Sequence, residues 1–207
     1  MKAYVWKRWK ENISLDQTIS EWFLICWSAK WLYSNEVLGD VLTPKEILKE
    51  DDSRITLSLW KLFNEADIVV AHNGNNFDIP KMNSRFICNN LPPTTPFISI
   101  DTCAISKKQF GFSSNKLDAL ATYFGFNHKL DTDFNLWKSC LEGNKEALDY
   151  MLSYNKRDVT LLEEVYLKMR PYIKNHPNCS NFIDNIACCS NCGSESFTLL
   201  KDKYYYT

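Results

Sequence analysis

Three groups of residues in this sequence have the types and spacing for chemistry. In the first, Met151, Tyr154, Asp158, Leu162, Val165 and Met169 recur at three- and four-residue steps, one face of a helix. A carboxylate inside an apolar stripe is costly unless something pairs with it, and Tyr154 lies one turn earlier on that face. Asp158 is therefore either a functional carboxylate or a solvent-edge residue on a wider stripe. The second group is Asp78, which follows the apolar run DIVVAH through the loop NGNNF and precedes Pro80. An aspartate there either caps a helix whose first turn tolerates proline or places a carboxylate at the ligand-binding edge of a sheet. The third is Cys189, Cys192 and Gly193, one half of a zinc ribbon, whose glycine permits the tight backbone around a metal. A closed site takes four ligands, and the second pair follows some 15 to 20 residues later. The alternatives are a self-contained set from His176, Cys179, Cys188 or Cys189, and Cys192, or thiols without a metal.

The elements that must position these residues read as α/β. Residues 21–32, rich in Trp, Phe and Ile, suit a buried strand, and 36–42 a second with Gly39-Asp40 as a turn or bulge. Residues 53–66 repeat Ile55, Leu59 and Phe63 at helical spacing, and 67–72 form a short β-branched strand. Helical spacing returns over 79–88, 97–100 is another strand, and the chain is mostly helical from 115, ending in a long helix over 145–172. Strand, helix, strand, helix, strand gives a sheet with crossover helices, whose ligands bind beyond the carboxyl ends of the strands. His72 and Asp101 fall at such ends.

Asp101 is either a cleft carboxylate or a cap for the next helix, and His72 reads as a satisfied strand-end histidine. Asn115 and Lys116 open a helix that either touches a phosphate or simply starts there. Trp6, Trp9, Trp22, Trp27 and Trp31 stand in or beside strands, so core packing is favoured over base stacking. Composition changes near residue 175, dividing a body of 1–175 from a Cys-rich tail of 176–207.

Balanced charge, 24 Lys+Arg against 25 Asp+Glu, excludes a protein that grips nucleic acid by bulk charge but not one with a local site. The longest apolar run, Trp22 to Trp27, is far short of the roughly 20 residues of a membrane helix. The opening MKAYVWKRWK has no apolar targeting region, so a cytoplasmic location in a bacterial or phage-infected cell is expected. The eight cysteines are too sparse for a disulfide scaffold and read as thiols or metal ligands.

The segment AHNGNNFDIPKMNSRF resembles the second motif of DEDD-type 3'→5' exonucleases with the ribonuclease H-like fold. YNKRD, Tyr154 to Asp158, resembles the third motif of their tyrosine subclass. SIDT and SNKLDALATYFG, between them, are also similar to this family, notably phage and bacterial stand-alone members, and the likeness covers roughly residues 3–175. The resemblance implies a mixed sheet flanked by helices and removal of nucleotides from DNA 3' ends, chiefly single-stranded, with two Mg2+ or Mn2+ ions. Asp78 and Asp158 would be metal ligands, and Tyr154 would orient the attacking water, since a phenol both donates and accepts a hydrogen bond. It further implies a role in DNA replication or repair, with a separate DNA polymerase as partner.

The family's first motif, Asp-x-Glu on a central strand, supplies the other half of the metal site, and the sequence contains no Asp-x-Glu. AYVWKRWKENISLDQ resembles the stretch immediately after that motif in family members, so the expectation is a missing first strand rather than substituted ligands; neither Asp16 nor Glu21 has the spacing to replace them. The tail likewise reads as a partial zinc ribbon, with Cys189 and Cys192 as a Zn2+ half-site. The rival expectation is a non-catalytic nucleic-acid-binding or accessory protein on the same fold.

Overall fold

The structure, a computed structural model, describes residues 2–3, 15–126 and 133–177. Strands β1 (Lys2–Ala3) and β2 (Thr18–Ser20) form an antiparallel pair. A second antiparallel ladder joins β3 (Cys26–Ala29) to β4 (Leu38–Val41). Helices α1 (Pro44–Lys49) and α2 (Ser53–Glu65) lead to β5 (Ile68–Ala71), and α3 (Asp78–Cys88) crosses over to β6 (Ile98–Asp101), parallel to β5. A parallel pair needs such a crossover because its strands enter from the same end. Then follow α4 (Thr102–Gln109), α5 (Leu117–Phe124), α6 (Phe134–Leu141) and the 25-residue α7 (Lys145–Met169).

The long strand expected over 21–32 is only four residues. Ahead of it the backbone is used differently: the N–H of Leu24 donates to Asp52 Oδ2 at 2.8 Å, not to a neighbouring strand. Asp52 is 1% exposed, and Arg85 grips both its oxygens at 2.6 and 2.7 Å. This ion pair ties the irregular segment to α2 and α3. Gly39 and Asp40 are not a turn; they pair with Ser28 and Trp27 inside β4. Asp40 tolerates the strand because Arg54 Nη1 binds its carboxylate at 2.7 and 2.8 Å. Helix α1, which the periodicity reading omits, starts on a reciprocal cap between Thr43 and Glu46 with Pro44 at its first position.

The parallel and antiparallel pairs make the sheet mixed, as expected, but among the described residues no strand joins the three ladders into one sheet. Helices supply the continuity. The core falls into three clusters, and α7 contributes to each: Met151 with Trp27, Leu42 and Ile55; Leu161 and Val165 with Leu117 and Leu120; Tyr166 with Ile100 and Ile173.

Candidate active site

The strand end at His72 is built as a junction. Thr102 Oγ1 lies 2.9 Å from His72 Nδ1, and His72 Nε2 lies 2.9 Å from the carbonyl oxygen of Asn115. A carbonyl only accepts, so Nε2 carries the proton in that bond. The ring thus fastens the end of β5 to α4 and to the entry of α5. Asn73 then turns the chain with φ of 67°, a left-handed conformation that asparagine tolerates. Gly74 has no alternative side chain, because a Cβ there would lie 2.4 Å from Ala71 Cβ.

Asp101, 4% exposed at the end of β6, fixes this loop. Its Oδ1 accepts from the N–H groups of Asn73, Cys103 and Ala104 at 2.9, 3.0 and 3.1 Å, and its Oδ2 from that of Asn75 at 3.1 Å. Of the two sequence readings, the cap is the one the structure shows, and the same carboxylate also clamps the loop leading to Asp78. An aspartate between a strand and a helical run signals the cap; its grip on a loop 26 and 28 residues earlier has no sequence signal.

Asp78 is not a cap. It is the first residue of α3, the N-cap is Phe77, and no side chain caps this helix. Loop carbonyls do that work: Phe77 N–H reaches Asn73 O at 3.0 Å and Ile79 N–H reaches Gly74 O at 2.9 Å. The Asp78 carboxylate is therefore left over, and among the described residues no cation pairs with it. Although the residue is exposed as a whole, the surrounding chain crowds its carboxyl. That desolvation holds its pKa above the ordinary range; its own backbone N–H pulls the other way, and the nearby Asp101 charge adds to the rise.

Tyr154 and Asp158 lie one turn apart on α7, where the inward face changes character. Met151 and Leu161 are buried, but no residue between them is. Tyr154 packs against the first cluster, and Leu161 begins the second. Half-buried Asp158 thus occupies a polar break between two apolar patches, which is why the stripe reads as interrupted. On the same stretch Asn155 reaches Cys26 Sγ of β3 at 3.8 Å. Asp78 and Asp158 come from different helices, α3 and α7, and Asp101, not Asp158, is the carboxylate whose charge Asp78 feels.

The remaining sequence candidates divide. Asn115 is committed to structure through its carbonyl and through Oδ1, which accepts from Ser106 Oγ at 2.5 Å. Lys116 is the exposed N-cap position of α5. Trp27 is core, Trp31 is partly exposed, and the ring of Trp22 carries Lys81 at 4.2 Å. His176 does not offer a metal-binding nitrogen: Nδ1 faces the Pro177 carbonyl at 2.7 Å and Nε2 the Tyr166 hydroxyl at 2.6 Å. Trp6, Trp9, Cys179, Cys188, Cys189 and Cys192, and with them the zinc half-site, lie outside the described residues.

A parallel βαβ unit, two antiparallel ladders and flanking helices make a mixed α/β fold of the ribonuclease H-like class. The RNase H superfamily description matches residues 35–170, about two thirds of the chain, and the chain belongs to that superfamily. It is also similar to the DNA polymerase III PolC-type of Ureaplasma parvum serovar 3, at 28% identity over 141 residues. That stretch is 65% of this chain but 9% of the polymerase, so the chain spans under a tenth of this relative.

Ribonuclease H-like nucleases use divalent metal ions, generally Mg2+. The donor chemistry at Asp78 fits such an ion: a hard carboxylate, crowded by a second anion, that a divalent cation would relieve. In number the set is short. Among the described residues no three His, Cys, Asp or Glu side chains are grouped to hold a metal. Among them, too, no helix is long and apolar enough to cross a membrane.

Proposed function

We propose that this chain is the body of a 3'→5' exonuclease of the DEDD tyrosine subclass, acting on DNA 3' ends. The observation that supports it best is Asp78, a carboxylate beyond the end of a parallel strand that is not paired with a cation among the described residues and is pressed toward its protonated form by desolvation, with the Asp101 charge adding to it. Asp78 and Asp158 would hold divalent ions, two in the complete site, with further carboxylates beyond these two. The ions would activate water and stabilise the leaving oxygen. Tyr154, one turn from Asp158, holds and orients the attacking water through its hydroxyl. Asp101 does not touch substrate; it keeps the Asp78 loop in place. Similarity to a stretch of a DNA polymerase supports DNA as the substrate and a place in replication, while a separate polymerase as partner rests on the resemblance to stand-alone exonucleases.

A second reading, a nucleic-acid-binding protein without catalysis, is favoured by the absence of a three-ligand metal group among the described residues. The two separate on a 5'-labelled single-stranded DNA incubated with the purified chain in Mg2+ or Mn2+. The exonuclease reading expects a ladder shortening from the 3' end, lost in Asp78→Ala and in Asp158→Ala. Binding without any ladder, from the chain alone and from the chain extended by an Asp-x-Glu strand, would establish the second reading instead. A ladder unchanged in both variants would remove these residues from the mechanism.

A further inference from the structure

A cavity of about 710 Å³ opens beside the Asp78 loop, large enough for a nucleotide. Asn73 of that loop forms part of its wall, with His72 fastening the wall to Asn115. Lys107 of α4 and Lys116 at the entry of α5 converge on it from two elements, and neither has an acidic partner among the described residues. Asp118, also on the lining, has an interaction of its own. Next to the lysines stands an aromatic stack. Ser113, on the lining, is hydrogen-bonded to the Tyr123 hydroxyl. The Tyr123 ring lies flat on Phe112, centroids 5.4 Å apart and planes 12° apart, and Phe112 is stacked on Phe110. Tyr123 is 48% exposed, so the stack ends at a solvent-facing ring at the edge of a cavity bearing two lysines.

Flat aromatic faces beside unpaired cations are the means by which proteins hold single-stranded nucleic acid without reading its sequence. Resting on the exonuclease reading above, we infer that this cavity binds a second nucleotide of a single-stranded substrate. The phosphate lies between Lys107 and Lys116, and the base stacks on Tyr123 over Phe112. The shared wall at Asn73 places this nucleotide beside the one at Asp78, so the cavity acts as a positioning subsite that holds the strand while its end is processed.

The test is fluorescence anisotropy of a 5'-fluorescein decathymidylate with the full chain in EDTA, where no turnover occurs, over a salt series. Lys107→Ala combined with Lys116→Ala is expected to weaken binding about 10-fold and to flatten the log–log salt slope by about 0.7, the share of the one phosphate the two lysines hold. Tyr123→Ala is expected to weaken it about five-fold or more at unchanged slope. All three side chains are exposed, so melting temperatures should hold and report intact folding. If the parent binds and the lysine variant matches it in affinity and slope, the cavity inference falls and the exonuclease reading survives. If free thymidine monophosphate displaces the oligonucleotide at equal concentration, the cavity holds a lone nucleotide and the strand assignment is overturned. If the parent does not bind at all, the cavity inference falls, and the ladder assay in Mg2+ or Mn2+ decides the exonuclease reading separately.

Discussion

Asp78 and Asp101 are unequal carboxylates, and the charge of Asp101 is felt at Asp78. Asp101 is buried and satisfied by four backbone N–H groups, while Asp78 has no cation among the described residues and carries a raised proton affinity partly because Asp101 is charged nearby. One carboxylate serves architecture so that the other can be held in place at an energetic cost.

That cost has a sign. A carboxyl whose folded pKa lies above its ordinary 3.8 favours the folded state at low pH and penalises it as pH rises through the raised value. Asp78→Asn removes the charge, so in EDTA at pH 7 it should melt about 1–2 °C above the parent, with the gap closing near pH 4. Added Mg2+ should raise the melting temperature of the parent but not of the variant. A variant that melts lower at pH 7 would show that Asp78 serves stability rather than a site.

Gly74 tests how tightly the loop is closed. With a Cβ meeting Ala71 Cβ at 2.4 Å, Gly74→Ala must shift the backbone, at about 1–3 kcal/mol. Thermal denaturation should show a drop of about 3–10 °C, and cleavage should fall further than stability does because Asp78 moves with the loop.

Tyr154→Phe keeps the ring that packs against the first core cluster and removes only the hydroxyl. The expected result is a cleavage rate about 100-fold lower with a melting temperature within about 2 °C of the parent. An unchanged rate would reduce Tyr154 to a packing residue.

The ring of His176 is 7% exposed, stacked on Tyr166, with both nitrogens hydrogen-bonded. Burial is the main cause that holds its pKa below the ordinary 6.5, and the Arg170 charge adds to it; the Pro177 carbonyl opposes them. The unfolded chain therefore takes up the proton first, and stability falls as pH drops from 6.5 toward the lower folded value. Equilibrium urea unfolding between about pH 7.5 and 5 should show this loss in the parent and a flatter profile in His176→Gln. Parallel profiles would assign the pH dependence to another group.

The chain itself dictates the periodic parts. The α7 stripe, the α2 repeat and the β-branched run at β5 are legible because amphipathic spacing reflects burial on one side. Asp158 stands out for the same reason, as a charge where the period demands an apolar residue. Residues 21–25 and Gly39-Asp40 mislead because their conformations depend on Asp52, Arg85 and Arg54, partners 13 or more positions away that local pattern does not reveal. Asp78 shows the division most plainly. Its sequence context fits a helix cap, and only the folded loop, whose carbonyls at Asn73 and Gly74 take the N–H groups of Phe77 and Ile79, shows that its carboxylate does not serve as the N-cap. Capping bonds compete for the same donors, and which acceptor wins is decided by where the loop is held, here by Asp101 from the next strand.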